Sequence, residues 1–130
     1  MPEPIVFVSH FHVKEGKRSA YRQLQEGIAS QLMADKPRTS VFLAYLDSDG
    51  TAVTAIHVFA DAESMDIHFE GSEERSERAH DVLLPGGWDI YGAPSDPVIE
   101  TMRRAAAAAG VPLTVHSDLV AGFVRGVSTA

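Results

Sequence analysis

The strand candidates of this 130-residue chain are apolar on both faces, yet the helices that accompany them are too few to cover two faces of one small sheet. Segment 5–13 reads I-V-F-V-S-H-F-H-V. Alternation along a strand places Ile5, Phe7, Phe11 and Val13 on one side, and Val6 and Val8 on the other, with His10 and His12 following them. Segments 41–46 and 53–59 repeat the habit. An antiparallel sheet with one face in water carries a predominantly charged face, and none is legible here. The second face needs a cover. In so short a chain the simplest cover is a second copy, so a homodimer is expected.

With 45% apolar and 22% charged residues the chain reads as one globular domain over residues 1–130, able to bury about two-thirds of its unfolded surface. The absence of cysteine excludes disulfides, thiolate metal sites, Fe–S clusters and a cysteine nucleophile, and fits a reducing, cytoplasmic setting. No apolar run approaches the roughly 18 residues of a membrane span. Met1-Pro2-Glu3-Pro4 lacks the basic and apolar pattern of a signal peptide. Neither membrane insertion nor export is expected. A net charge of −7, with Lys17-Arg18 and Arg103-Arg104 as the only basic pairs, argues against binding nucleic acid.

Periodicity orders the elements. After the first strand, Tyr21, Leu24, Ile28 and Leu32 recur at helical spacing, with Arg18, Arg22, Gln25 and Glu26 outward and a stop near Asp35 before Pro37. Ser40 to Asp47 and Thr51 to Phe59 form a hairpin around Asp47-Ser48-Asp49-Gly50. Asp61 caps a short helix that carries Met65, His68 and Phe69 on one face and breaks at Gly71. Ser72 is expected to cap a second short helix with Glu73 and Glu74 in its first turn. Its inner side is expected to hold Ala79, Val82 and Leu83, and Pro85-Gly86-Gly87 to end it. A strand over Trp88 to Ala93 completes the β-α-β-β-α-β order of a ferredoxin-like plait, an α+β fold with its core over about residues 4–93.

An extension over about 94–125 follows. Asp96 is expected to cap a helix with Pro97 at its first position, running through the alanines 105–109 to Gly110. Leu113 to Val124 has broken strand character, suited to an edge strand or an arm exchanged with a partner, and Gly126 to Ala130 reads as a frayed tail.

From about Val6 to Leu83 the chain resembles the antibiotic biosynthesis monooxygenase superfamily of dimeric α/β barrels. The first carrying stretch is Ser9-His10-Phe11-His12-Val13-Lys14-Glu15-Gly16-Lys17. The second is Ile56-His57-Val58-Phe59-Ala60-Asp61-Ala62-Glu63-Ser64-Met65-Asp66-Ile67-His68-Phe69. Members often end the first strand in a glycine-containing turn and the third in an aromatic before an Asp-led helix bearing histidine. Here that aromatic is Phe59 where tryptophan is frequent, and the segment from Pro94 onward lies outside the common core. The resemblance implies two plaits with their sheets face to face and a ligand cavity in each subunit between sheet and helices. The activities it implies are cofactor-independent oxygenation of anthrone-like or quinol substrates, haem degradation, small isomerase reactions or ligand binding. Fold alone does not choose among them.

Six histidines supply the chemistry-bearing candidates. His68 is the expected general base, because its place beside Phe69 and Met65 borders the implied cavity and imidazole titrates near neutrality. The competing reading is a surface histidine at a helix end. His57, on the strand face of Val53, Ala55 and Phe59, would orient a substrate oxygen or simply be a satisfied core histidine. In the plait order His10 or His12 could sit near His57, as ligand contacts or as a polar patch at the cavity or dimer seam. Tyr45, Phe69 and Trp88 are the candidate aromatic walls, with Phe42 and Tyr91 beside them. No convergent set of three ligands points to a metal. The chain has no asparagine, which removes one member of the Asn-Trp-His set of haem-degrading relatives. No serine elbow, G-x-G-x-x-G or G-K-S/T signature appears, so no nucleotide cofactor is expected.

The leading expectation is a cofactor-independent monooxygenase acting on a small aromatic, quinol or polyketide-like substrate. The alternatives are a non-catalytic ligand-binding or stress-associated dimer, and a small isomerase or lactone-handling enzyme on the same fold.

Overall fold

In the computed structural model, which describes residues 3–125, the chain builds β1 (Ile5–Val13), α1 (Arg18–Asp35), β2 (Thr39–Leu46), β3 (Ala52–Phe59), α2 (Ala62–Phe69), α3 (Ser72–Ala79), β4 (Leu83–Tyr91), α4 (Asp96–Ala109) and β5 (Leu113–His116). The strands form one sheet in the order β2-β3-β1-β4-β5. The first four are antiparallel, which is the ferredoxin-like order read from the sequence, and β5 adds parallel to β4 through α4. Among the described residues no helix is long and apolar enough to cross a membrane.

The alternation of β1 decides where everything else sits. Ile5 pairs with Phe59 and Phe7 with His57, so the face of Ile5, Phe7, Ser9 and Phe11 meets that of Val53, Ala55, His57 and Phe59. All the helices lie over this face, and α1, α2, α3 and α4 each contribute to the cavity above it. Phe59, Ile5, Met65, Ile90 and Val53 are fully buried beneath them. One core cluster joins β1, β3 and β4 to α2 and α4 through Phe59, Met65, Trp88 and Met102. A second joins α1 to the sheet through Tyr21, Val53, Val82 and Leu83. Phe11 packs against both.

Among the described residues no element covers the other face of the sheet. It carries Val6, Val8, Ile56 and Val58 half-buried, while Leu43 is 45% exposed, Tyr45 56%, Leu84 53% and Tyr91 43%. His10 and His12 sit on this face too, opposite Thr54 and Ala52.

Four local expectations need correction. Pro85-Gly86-Gly87 does not end α3 but lies inside β4, which begins at Leu83 instead of Trp88. The register against β1 shifts between His10 and Phe11, making Gly86 the extra residue of a bulge. Pairing with β5 starts only at Trp88, so Pro85 occupies a stretch of β4 with one strand neighbour, where proline is tolerated. Ser72 does not cap α3: Gly71 holds that position with φ of 79°, which glycine adopts without steric cost. Ser95, not Asp96, caps α4, accepting from the Val98 N–H while its hydroxyl donates to Asp66 at 2.5 Å, which ties the start of α4 to α2. Finally, β5 stops at His116 instead of reaching Val124, because its partner strand ends at Tyr91, opposite His116. The expected tail Gly126 to Ala130 falls outside the described residues.

Candidate active site

Between the sheet and the helices lies a cavity of about 570 Å³. Its floor comes from Phe7, Ser9 and Phe11 of β1, Ala55 and His57 of β3, Phe42 of β2 and Trp88 of β4. Leu24, Ile28 and Leu32 of α1 form one wall, and Thr101, Met102 and Ala105 of α4 the opposite one. His68 and Phe69 close one end, joined by Arg75 from α3. This is the sheet-to-helix cavity that the resemblance implied, and the added helix α4 is part of it.

The two candidate catalytic histidines are brought together. Their ring centroids are 4.9 Å apart with the planes at 73°, and both side chains are buried, His57 at 8% and His68 at 5% exposure. The sheet delivers His57 because β3 alternates Val53, Ala55, His57, Phe59 inward. His68 arrives through the cap of α2, where the Asp61 carboxylate accepts from the Ser64 N–H at 2.8 Å and fixes the start of that helix. Hydrogen bonds from the Ser64 hydroxyl and backbone hold the Asp61 carboxyl below its ordinary pKa.

Aromatic rings surround the pair. Phe42 and Phe7 lie 4.9 and 5.3 Å from His57, and Phe59 lies 5.1 Å from His68. This apolar packing opposes protonation: burial pushes His57 down to about 4, partly offset by the Phe7 carbonyl. Burial, followed by the charges of His57, Arg75 and Lys36, pushes His68 to about 3. Both imidazoles are therefore neutral at pH 7.

Their neutral forms differ in what fixes the proton. His57 Nδ1 lies 3.4 Å from the Phe7 carbonyl oxygen, which can only accept, so Nδ1 carries the hydrogen and Nε2 keeps its lone pair. His68 Nδ1 lies 2.7 Å from Thr39 Oγ1, a hydroxyl able to donate or accept, so either tautomer satisfies that contact. Thr39 holds the ring orientation without selecting which nitrogen is basic. The pair thus offers one imidazole with a fixed basic nitrogen and one able to give or take a proton.

Of the other sequence candidates, Phe69 and Trp88 line the cavity. Tyr45 does not: it stands on the uncovered face, out of phase with Phe42. His10 and His12 are likewise on that face, separated from His57 by the thickness of the sheet. His10 meets Asp89 at 3.1 Å instead, and His116 approaches the same carboxylate at 3.4 Å. Among the described residues no group of three His or acidic side chains could hold a metal ion. Sequence reasoning passed over Arg75 and Thr39, and weighed Ser9 only as a nucleophile, not as part of a cavity floor. Ser9 was signalled by the β1 alternation that puts it in phase with Phe7, whereas Arg75 sat unmarked in the charged run S-E-E-R-S-E-R.

Solved structures share this architecture. MupZ from Pseudomonas fluorescens superposes with a TM-score of 0.70 at 14% identity, covering 98% of this chain and 99% of that one, and so takes in the C-terminal helix and strand. SnoaB, a cofactor-independent oxygenase from Streptomyces nogalater, matches with a TM-score of 0.59 at 14% identity over 72% of this chain and 95% of its own. A Nitrosomonas europaea protein provisionally named an antibiotic biosynthesis monooxygenase gives 0.61 at 16% identity, over 72% and 92%. The chain therefore has the antibiotic biosynthesis monooxygenase fold. No protein-family model and no curated protein matches the sequence.

Proposed function

We propose that the cavity binds a small, largely apolar substrate and that the His57–His68 pair removes a proton from it, the resulting anion reacting with O2 as in a cofactor-independent monooxygenase. The observation that carries this reading is the pair of neutral imidazoles at one end of an aromatic-lined cavity of about 570 Å³. A phenol or activated methylene that loses a proton becomes electron-rich enough to pass an electron to O2. Recombination gives a hydroperoxide, which loses water to leave a carbonyl, so the substrate supplies every electron. The protein needs a base, a partner for the oxyanion and a dry pocket.

With Nδ1 turned to the Phe7 carbonyl, His57 takes the role of base through Nε2 and His68 that of holding the oxygen, which reverses the roles expected from sequence. The neutral starting state suits this task. Proton transfer creates an imidazolium beside an anion in a low-dielectric site, where their mutual attraction offsets the burial that depressed the free pKa. SnoaB, named a cofactor-independent oxygenase, has the same fold and supports the oxygenase reading.

The reading includes a homodimer built on the uncovered sheet face, where Leu43, Tyr45, Leu84 and Tyr91 leave apolar surface in one chain. A second reading rests on α4. This helix forms one wall of the cavity, and the match to MupZ takes it in, while the match to the oxygenase SnoaB covers 72% of the chain. The same histidine pair would then carry out a proton-transfer isomerisation without oxygen.

Oxygen uptake with a reduced anthrone or quinol tests the two. Uptake that is lost in His57→Ala and His68→Ala supports the oxygenase, product formed without uptake supports the isomerase, and tight binding with neither leaves a binding protein.

A further inference from the structure

Arg75 is the feature of the cavity that proton abstraction leaves unused. It projects from α3 into the lining beside His68, and its guanidinium donates to the His68 carbonyl oxygen at 2.6 Å. Lys36 donates to the Ile67 and Glu70 carbonyls at 2.8 and 2.9 Å, so the C-terminal turn of α2 is already served by a second cation. Arg38 pairs with Asp61 at 3.2 Å, Arg104 with Glu100 at 3.6 Å, and Arg78 donates to Gln31 at 2.9 Å, while Arg18, Arg22 and Arg103 are exposed at the helix surfaces and line no part of the cavity, unlike the half-buried Arg75. Arg75 forms no ion pair among the described residues. Glu73 shares the cavity lining but is exposed and lies beyond ion-pair distance of it.

A guanidinium carries five N–H donors in a planar fork. One bond to a backbone carbonyl anchors the fork and leaves its remaining donors without a protein anion. Burial disfavours the charged form here, with Arg78 adding repulsion and Glu74 opposing it, so the group is held charged at some cost. An incoming anion removes that cost and takes up the free donors. In a protein of net charge −7, such a side chain is also a local exception to the surrounding field.

We infer that Arg75 is a carboxylate subsite, so that the substrate is an apolar molecule bearing one acidic group, seated at the α2–α3 end of the cavity with its reactive carbon toward His57 and His68. This rests on the reading of the cavity as a ligand site and deepens it, since it names the chemical class of the ligand. The charged end sets the direction in which an otherwise featureless apolar molecule enters, and the two imidazoles then meet the same part of it each time.

The single tryptophan, Trp88, lines the same cavity and reports occupancy by fluorescence quenching. The probes are an anthraquinone carboxylic acid and its methyl ester at neutral pH. Native protein is expected to bind the acid about tenfold or more tighter than the ester, the ratio falling to about one in Arg75→Met and recovering in part in Arg75→Lys. Circular dichroism checks that the variants fold, and the lysine variant carries the comparison if the methionine one does not. Equal affinities in native protein, an acid preference that survives Arg75→Met, or quenching by neither probe overturns the inference. Binding requires no oxygen, so the two readings fail separately. Acid preference without oxygen uptake on any substrate retains the subsite and removes the oxygenase. Oxidation of a neutral anthrone with no acid preference retains the oxygenase and removes the subsite.

Discussion

The His57 and His68 rings meet nearly edge to face, 4.9 Å between centroids, one brought by the inward alternation of β3 and the other by a helix capped at Asp61. Neither residue has a carboxylate partner in its hydrogen bonds, which run to the Phe7 carbonyl and to the Thr39 hydroxyl. Two imidazoles so placed, without a counter-ion, form a neutral acid–base pair and not a charge relay.

The first consequence is a pH dependence of stability. Both histidines have folded-state values below the unfolded value of 6.5, about 4 for His57 and about 3 for His68. Below pH 6.5 the unfolded chain binds more protons than the folded one, so stability is complete above that value and declines as pH falls toward 4. The slope approaches about 1.4 kcal/mol per pH unit for each histidine. Urea titrations from pH 7 to pH 5 are expected to show it, and His57→Phe to remove about half. Histidine ring signals in NMR that titrate near 6.5 at both positions would contradict it.

Removal of the base should exceed removal of its neighbour's support. His57→Ala is expected to lower turnover on an active substrate by a factor of about 10²–10⁴. Thr39→Val leaves the His68 ring in place but frees its orientation, and a loss of about tenfold is expected, about 1.4 kcal/mol of transition-state stabilisation. Steady-state oxygen uptake or product formation measures both. A Thr39→Val loss as large as that of His57→Ala would count against His57 as the base.

The uncovered sheet face predicts self-association. Sedimentation at micromolar concentration is expected to give twice the 14.0 kDa chain mass. Replacing Leu43 and Leu84 with glutamate, both on the open face and about half exposed in one chain, should return the monomer with little change in helix content. A native protein that sediments as one subunit would remove the dimer.

The cap of α2 carries the His68 geometry. Asp61→Ala removes the acceptor of the Ser64 N–H, and with it one of the partners of Arg38, for an expected loss of about 1–2 kcal/mol in denaturant unfolding. The same change should reduce activity by loosening His68. Unchanged stability together with unchanged activity would show that the cap does not hold the site.

Much of this architecture follows from short-range patterns. The stripe of Tyr21, Leu24, Ile28 and Leu32 marked α1, the polar loop at Asp47 to Gly50 marked the hairpin, and the phase of Val53, Ala55, His57 and Phe59 placed His57 inward. The phase of His10 and His12 was equally available. Both are out of step with Phe7, which pairs with His57, so strand alternation by itself assigns them to the opposite face. Pro85-Gly86-Gly87 was misread because a bulged strand and a helix stop call for the same residues. Only the register against β1 and the late start of β5 distinguish them.

The amino-acid order alone determined a two-faced sheet, its antiparallel plait order and the inward phase of His57, because alternation and helical period act between residues a few positions apart. What the tertiary structure decided was the company each side chain keeps. It set His68 against His57 across eleven positions of chain, Phe59 against both, and the guanidinium of Arg75 at the same end of the cavity. Proximity between residues on different elements depends on how those elements pack, and burial, which makes both imidazoles neutral and leaves the arginine without an anion, exists only once they have packed.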